Sequence, residues 1–399
     1  MLPNDFTAKL LDMEHMNFLD VEQTATTVTI TVEMKRRACS CPHCGTLTDR
    51  IHDYRLQKIK DSPLQGKACV WLYRKRRYRC PCCGQRFYES NYLIPKWHRI
   101  TNRLALLALQ QLESKQSRKE VAQAMYVSPS TIGRWLRLSE CGKPNKLPSV
   151  LSIDEFKGNT EYGKFQCILT APKEKRVLDI LPTCKESELY QYLSAFSNRK
   201  EVRFFVSDMK KEYISLAKRL FPSATIVIDR FHVVRYCTWA LENVRKRVQK
   251  NLLPEQRRYF KRSRKLLLKQ MKDLKPESMD AVNRMLTLHR DLREAYLLKE
   301  KFYEFMASKD SLQAKERLRA FRMFAFTADV PEFKDCLTML QNWEPYILNA
   351  FDCPYSNGFT EGCNNTIKVI KRVAYGYRNF RNFRCRILLT FHGKRSSAA

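Results

Sequence analysis

Apolar and polar positions alternate with a period of two across TATTVTITVEM, Thr24 to Met34. Together with its β-branched content, that period predicts a strand. Between residues 99 and 140 the spacing changes, and Leu104, Leu107, Ala108 and Leu112 recur at helical intervals. In SRKEVAQAMYVSPSTIGRWLRL, Ser117 and Glu120 have the spacing of a capping box, with Val121, Ala122 and Met125 on the apolar face behind it. Tyr126-Val127 turns the chain, and Ser128-Pro129 opens another helix, proline being tolerated in a first turn. Its Ile132, Trp135 and Leu136 are expected to face inward, and Ser130, Thr131 and Arg134 outward. Two short helices across a tight turn form a helix-turn-helix pattern, the second helix placed for a major groove. Many helical hairpins share that pattern, so it needs support from elsewhere in the chain.

Beyond a linker at Cys141 to Ser149, the pattern becomes mixed. Strands are expected at Val150 to Glu155, Phe165 to Ala171, Arg176 to Leu181, Val202 to Val206 and Thr225 to Ile228. Helices are expected at Glu186 to Ser197 and Lys211 to Phe221. The order of three strands, helix, strand, helix, strand matches a ribonuclease H-like core, in which the first and fourth strands are neighbours. Asp154 then ends the first strand, Asp208 lies just past the fourth, and the two fall side by side. Asp229 ends the fifth, with His232 close behind. Residues 230 to about 350 form long helical stretches without a glycine, an insertion before the chain returns. Ser356-Asn357-Gly358 then turns it, and Thr360 is placed to cap a helix carrying Glu361, with Lys368 two turns along the same face. The predicted class is multidomain α/β. Residues 1–90 form a zinc-binding module and 91–142 a helix-turn-helix domain. Residues 150–230 and 351–399 form the ribonuclease H-like core, and 231–350 a basic helical insertion.

Cysteine spacing and charge sharpen this outline. Seven of fifteen cysteines fall between Cys39 and Cys83, in two near-identical knuckles, Cys41-Pro-His-Cys44-Gly and Cys80-Pro-Cys-Cys83-Gly. A Cys-x-x-Cys pair lets two thiolates clasp one ion, so Cys41, Cys44, Cys80 and Cys83 are the expected ligands of one structural zinc. The 35-residue gap between the pairs leaves room for an inserted strand pair. Cys39 and Cys82 are close enough to compete, which leaves the ligand set open. The cysteine-rich chain shows no export pattern, and a reducing compartment is expected. No apolar run approaches the roughly 18 to 20 residues of a membrane span. Net charge is +32, and a polyanion is the expected partner. WLYRKRRYRC interleaves aromatics with Arg74, Lys75, Arg76, Arg77 and Arg79, which suits phosphate contact or a solvated strand face. Arg235 to Lys275 carries 14 Lys or Arg against Glu242, Glu255 and Asp273, an excess that ion pairing along helices does not absorb and that points to a DNA-backbone surface. Lys368, Lys371, Arg372, Arg378, Arg381, Arg384 and Arg386 alternate with Tyr375, Tyr377, Phe380 and Phe383. That strip is read either as a backbone grip with stacking rings or as a packed aromatic face beside a solvated basic one.

Asp154, Asp208 and Glu361 are sufficient oxygen ligands for a pair of hard divalent ions, Mg²⁺ or Mn²⁺, about 4 Å apart. Such a pair activates an oxygen nucleophile and stabilises the leaving 3′ oxygen of a phosphodiester. Asp229 and His232 stand as auxiliary candidates, Asp229 also as an ion-pair partner of Arg230 or Arg235. Ser130, Thr131, Arg134, Arg76, Arg77, Lys368 and Arg372 are the expected DNA contacts.

The paired C-P-x-C-G knuckles, the helix-turn-helix, SIDEF, VSDM, IDRFH and SNGFTEGCNNTIKVIKRVAYGYRNF together resemble the ISL-three family of bacterial insertion-sequence transposases over nearly the full length. The resemblance implies a DDE transposase with a ribonuclease H-like catalytic domain that binds the terminal inverted repeats of its own element. The DDE roles carry onto Asp154, Asp208 and Glu361. The expected activity is Mg²⁺-dependent cleavage of double-stranded DNA followed by strand transfer into a target. The expected setting is cytoplasmic and nucleoid-associated. Pairing of two DNA ends implies a homodimer or a higher assembly. The alternative is a sequence-specific DNA-binding regulator whose nuclease-like domain is silent.

Overall fold

The computed structural model describes residues 13–139, 142–262 and 264–396; Cys141, at the start of the expected linker, lies outside them. The chain divides into two units. One takes the chain up to Gly142 together with Ile367 onward, and the other is Lys143–Thr366.

In the first unit, β1 (Met16–Gln23), β2 (Thr27–Met34), β5 (Ile51–Leu64), β6 (Lys67–Arg79) and β7 (Arg86–Tyr88) form a sheet in the order β1-β2-β6-β5, with β7 also on β6. The alternation in β2 buries Val28, Ile30, Val32 and Met34 against Ile59, Trp71 and Tyr73. β5 and β6 are the strand pair inserted between the knuckles. Gln65 and Gly66, both at positive φ, make the two-residue turn that suits the twist of a hairpin. The short pair β3 (Cys39–Ser40) and β4 (Leu47–Thr48) flanks the first knuckle.

The helical part of this unit is α1 (Asn102–Glu113), α2 (Arg118–Ala124) and α3 (Pro129–Leu138). Ser117 Oγ accepts from Glu120 N at 3.1 Å and Glu120 Oε2 from Ser117 N at 2.7 Å, closing the capping box read from the sequence. Ser128 caps α3, with Pro129 in its first turn. The C-terminal helix α14 (Phe380–Ser396) packs on α1 and α3, placing Cys385 and Leu389 against the cluster of Leu104, Ala108, Ile132 and Leu136. Arg386, buried there, donates to the Gln116 carbonyl at 2.8 Å. Residues from Ile367 onward group by their contacts with the helix-turn-helix unit.

In the second unit, β8 (Val150–Thr160), β9 (Gly163–Ala171), β10 (Arg176–Leu181), β11 (Phe204–Ser207) and β12 (Thr225–Ile228) form one sheet in the order β10-β9-β8-β11-β12. The first three strands are antiparallel; β8, β11 and β12 are parallel, with α4 (Glu186–Ser194) and α5 (Lys211–Leu220) between successive elements. β8 was expected to stop at Glu155. It continues to Thr160 because its hairpin with β9 pairs as far as Thr160↔Gly163, so Asp154 sits inside a strand.

The helices α6 (Arg230–Lys250), α7 (Pro254–Arg262), α8 (Arg264–Leu268), α9 (Pro276–Thr287), α10 (Arg290–Met306), α11 (Ser311–Ala328) and α12 (Lys334–Asp352) follow, and then α13 (Gly358–Val373). Their interior is continuous with that of the sheet: Leu151, Phe205 and Ile228 belong to the same buried cluster as Val233, Phe302, Phe321 and Leu340. The boundary between the two units falls inside α13.

Candidate active site

Strand register decides which acids meet. Phe204↔Val150 and Val206↔Ser152 pair β11 with β8, so two residues further along Asp208 stands level with Asp154. Ser207↔Ile228 pairs β11 with β12 and puts Asp208 level with Asp229, whose N–H donates to the Ser207 carbonyl at 3.1 Å. Three aspartates therefore stand level across three adjacent parallel strands, Asp154 inside β8 and Asp208 and Asp229 just past the ends of β11 and β12. Asp229 opens α6, and the first turn of that helix presents His232 back to the cluster. His232 Nδ1 lies 3.0 Å from Asp208 Oδ1 and 3.6 Å from Asp229 Oδ2.

α13 covers this end of the sheet with one face. Ser152 Oγ donates to Asn357 Oδ1 at 2.6 Å, Thr360 Oγ1 lies 2.7 Å from Thr170 Oγ1, and Asn364 Nδ2 donates to Asp154 Oδ2 at 2.7 Å. Asn357 also reaches Asp208 Oδ1 at 3.5 Å. Asn357, Thr360, Glu361 and Asn364 recur at steps that place side chains on one helix face. Glu361 is thus carried among residues that touch β8 and Asp208. Thr360 was expected to cap the helix; its hydroxyl is instead fully buried between Ser152 and Thr170, inside the first turn.

The charges report the same gathering. Burial, then the negative charge of Asp208, pushes the Asp154 carboxyl up to about 8; Glu361 and Asp229 push the same way, and His232 opposes them. The carboxylates of Asp208, 3.0 Å from its Nδ1, and then of Asp229, at 3.6 Å, raise His232 to about 10. Among the described residues, Asp208, Asp229 and His232 bring one ligand atom each within 4.8 Å of one another. Asp154 and Glu361 are in electrostatic reach but outside that tight group. Asp229 Oδ2 is buried with no hydrogen-bond partner. A buried, unsatisfied carboxylate oxygen beside mutually repelling acids fits a hard divalent cation, which would relieve both costs.

The asparagines were missed as site residues at the level of sequence. Their signal was present: polar residues at helical spacing in NGFTEGCNN, where an apolar face would otherwise be expected. Lys210, paired with Glu155 next to Asp154, left no such signal.

The four knuckle thiols also converge. Cys44 Sγ lies 3.4 Å from Cys80 Sγ and Cys41 Sγ 3.6 Å from Cys83 Sγ. Four sulfurs at Zn–S distances of about 2.3 Å stand about 3.8 Å apart, so the set fits tetrahedral zinc. Cys39 is held elsewhere, against the Arg37 carbonyl at 3.8 Å, and Cys82 is outside the four-thiol group.

Several expected DNA contacts are placed differently. Arg76 is 3% exposed, bonded to Glu33 at 2.8 Å and facing Glu89 at 3.5 Å. The buried phase of β6 shifts along its length, from the odd positions Cys69, Trp71 and Tyr73 to the even positions Arg76 and Tyr78, and this turns Arg76 inward. It is a structural ion pair and not a phosphate contact. Arg77 Nε donates to Asp53 at 3.0 Å across the β5–β6 pair. Thr131 is buried, its hydroxyl 3.0 Å from Ser128 Oγ, whereas Ser130 and Arg134 are exposed on α3. Lys368 and Arg372 are exposed on α13. Of the aromatic strip, Tyr377, Phe380 and Phe383 are packed, with Tyr377 and Phe383 stacked at 4.7 Å, and Tyr375 is fully exposed. The packed-face alternative holds for three of its four rings.

Residues 151–387 match the family model described as a transposase of the ISL3 type. Residues 37–83 match the zinc-finger of transposases IS204, IS1001, IS1096 and IS1165, and residues 90–138 the helix-turn-helix domain of transposase family ISL3. The chain is 24% identical over 380 residues to the transposase for insertion sequence element IS1001 of Bordetella parapertussis, covering 93% of each protein. It is 26% identical over 197 residues to the transposase for IS1557 of Mycobacterium tuberculosis, 44% of each. A 115-residue stretch is 38% identical to a Lactococcus lactis protein named an ATP-dependent protease, covering 29% of this chain and 35% of that one. No helix of the described residues is long and apolar enough to cross a membrane.

Proposed function

The chain belongs to the ISL3 family of transposases, and from that premise we propose that it binds the terminal inverted repeats of its own element and cuts and joins DNA there. In this reading the second unit is a ribonuclease H-like core. Asp154, Asp208 and Glu361 would hold two Mg²⁺ or Mn²⁺ ions, with Asp229 as a further oxygen donor. The observation that carries it is the register placing Asp154, Asp208 and Asp229 level at one sheet end beneath the helix bearing Glu361. Divalent ions there would supply activation of a water or a 3′-hydroxyl and stabilisation of the leaving oxygen.

The chain's own residues set the geometry. Asn364 fixes one Asp154 oxygen, and the Glu155 N–H, donating at 2.7 Å, fixes the other. His232 orients Asp208. Residues 1–90 and 91–142 recognise the element ends, Ser130 and Arg134 reaching the groove from α3 and Lys368 and Arg372 gripping phosphates. One zinc on Cys41, Cys44, Cys80 and Cys83 braces the recognition module. Two ends held together call for two or more copies of the chain.

The test uses the full chain and labelled duplex carrying the element's terminal repeats, with Mg²⁺, beside Asp208→Ala and Glu361→Ala. The expected result is cleavage at the repeat boundary that disappears in both variants while binding persists. Binding without cleavage by the parent chain in Mg²⁺ and in Mn²⁺ would favour the silent regulator. Unchanged cleavage in the variants would transfer the ligand role to Asp229.

A further inference from the structure

The fourteen cations between Arg235 and Lys275 do not form one uniform face. Arg247 is tied to Asp291 at 2.7 Å and to Glu332 at 2.6 Å, and Arg264 reaches Glu242 at 3.2 Å. Arg245, buried, is held by Glu242 at 2.7 Å. These three serve the fold. Around an open cleft of about 570 Å³ between α6 and α7, however, stand Lys246, Lys250, Arg257, Arg258 and Lys261, all exposed. Among the described residues none of the five has a carboxylate within ion-pair distance.

We propose that this cleft is a second DNA site, a cradle for the sugar–phosphate backbone of duplex DNA that acts without regard to sequence. Lys246 and Lys250 are one turn apart on α6, and Arg257 and Lys261 one turn apart on α7, so two cationic rows with a pitch of about 6 Å face each other. The cluster repels itself unless an anion enters, and a polyanion relieves several charges at once. None of the eight lining residues is aromatic or acidic. The cleft therefore has no aromatic ring on which to stack a base, and no carboxylate to bind a ribose or a nucleotide's metal. That favours backbone binding, which carries affinity and salt dependence but no sequence information. Arg245 and Gln249, bonded to each other, form a floor fixed by Glu242 beneath the long lysine and arginine side chains.

The choice of DNA as the polyanion rests on the reading above, but the readout needs neither catalysis nor a divalent ion. The full chain is titrated by fluorescence anisotropy against a random duplex and a terminal-repeat duplex at several salt concentrations, without Mg²⁺. It is compared with Lys250→Gln/Arg257→Gln/Lys261→Gln and with Lys250→Arg/Lys261→Arg. Each phosphate that is no longer neutralised lowers the slope of log K against log salt by about 0.9, so the triple variant's slope should fall by up to about 2.7 on both duplexes. Its preference for repeat over random sequence should persist, and the arginine variant should keep the parent slope. Equal slopes for parent and triple variant, with both chains melting alike, overturn the proposal. So does calorimetry in which the triple variant no longer binds inorganic phosphate while its duplex slope is unchanged, since the cleft is then a small-anion site. A reduced slope with intact repeat preference, together with no cleavage by any chain when Mg²⁺ or Mn²⁺ is supplied in the separate cleavage test, would retain this site while sinking the catalytic reading.

Discussion

Replacing Cys44 by serine isolates the contribution of the zinc clip, because Cys44 is exposed and its removal leaves no core cavity. The metal would join Cys44 to Cys80 across 36 positions of chain, a loop that includes the whole β5–β6 pair. By the loop-closure relation for a cross-link, constraining a loop of this length removes about 4 kcal/mol of unfolded-state entropy near room temperature. The first unit keeps its own core of Val32, Ile59, Trp71 and Tyr73, so Cys44→Ser should loosen the knuckles and lower the unit's melting point without unfolding it outright. For a body of this size each kcal/mol moves Tm by about 2–4 °C, giving a fall of roughly 8–16 °C. The assay is zinc content by a colorimetric chelator together with differential scanning calorimetry. One zinc per chain is expected for the parent, Cys39→Ser and Cys82→Ser, and none for Cys44→Ser. Zinc retained in Cys44→Ser with an unchanged melting point, or absent from Cys39→Ser, would refute the assignment of the four ligands.

Ser117→Ala should cost about 1 kcal/mol of stability by removing the cap of α2, read by chemical denaturation. Hydrogen bonding to the Ser117 N–H and then its side chain holds Glu120 below its ordinary value. The folded pKa is therefore lower than the unfolded one, the stabilisation is present above the unfolded pKa, and it fades as pH falls through the folded value. Glu120→Gln should flatten that part of a stability-against-pH curve, and an unaltered curve would remove the box from the account. Arg76→Ala should destabilise by about 3–5 kcal/mol, because it leaves Glu33 and Glu89 short of a buried partner. Arg134→Ala should leave the melt unchanged and lower the DNA salt slope by about 1, the reverse pairing being the outcome that contradicts the structure. Gly158→Ala would set a Cβ 1.8 Å from Gln166 Oε1, on a buried side chain that also holds Thr160 and the Gly163 and Pro182 carbonyls. A destabilisation of about 1–3 kcal/mol is expected by urea titration, and a neutral effect would mean that Gln166 is free to swing away.

Local chemistry was legible in the sequence. The capping box at Ser117 and Glu120, proline in the first turn of α3, the strand from Arg176 to Leu181 and the thiol pairs all depend on residues a few positions apart, where spacing alone sets geometry. The order of strands and helices in the second unit was legible for a related reason. Each element carries its own hydrophobic period, and the expected first-to-fourth neighbourhood appears as the β8–β11 pairing. What the sequence did not contain was the partner of each side chain across distance. Arg76 and Arg77 are adjacent basic residues in one strand, yet Glu33 and Glu89 bury the first and Asp53 holds the second, an outcome fixed by which strands lie alongside. Tyr377 and Phe383 fit a stacking strip and a packed face equally in the sequence, and only their burial in the fold decides for packing. The sequence by itself determined which acids and thiols were candidates for chemistry. Tertiary structure alone decided that Asp229 and His232 join Asp208 and that Asn364 steadies Asp154, because register and helix docking are collective properties of the packed core and belong to no single segment.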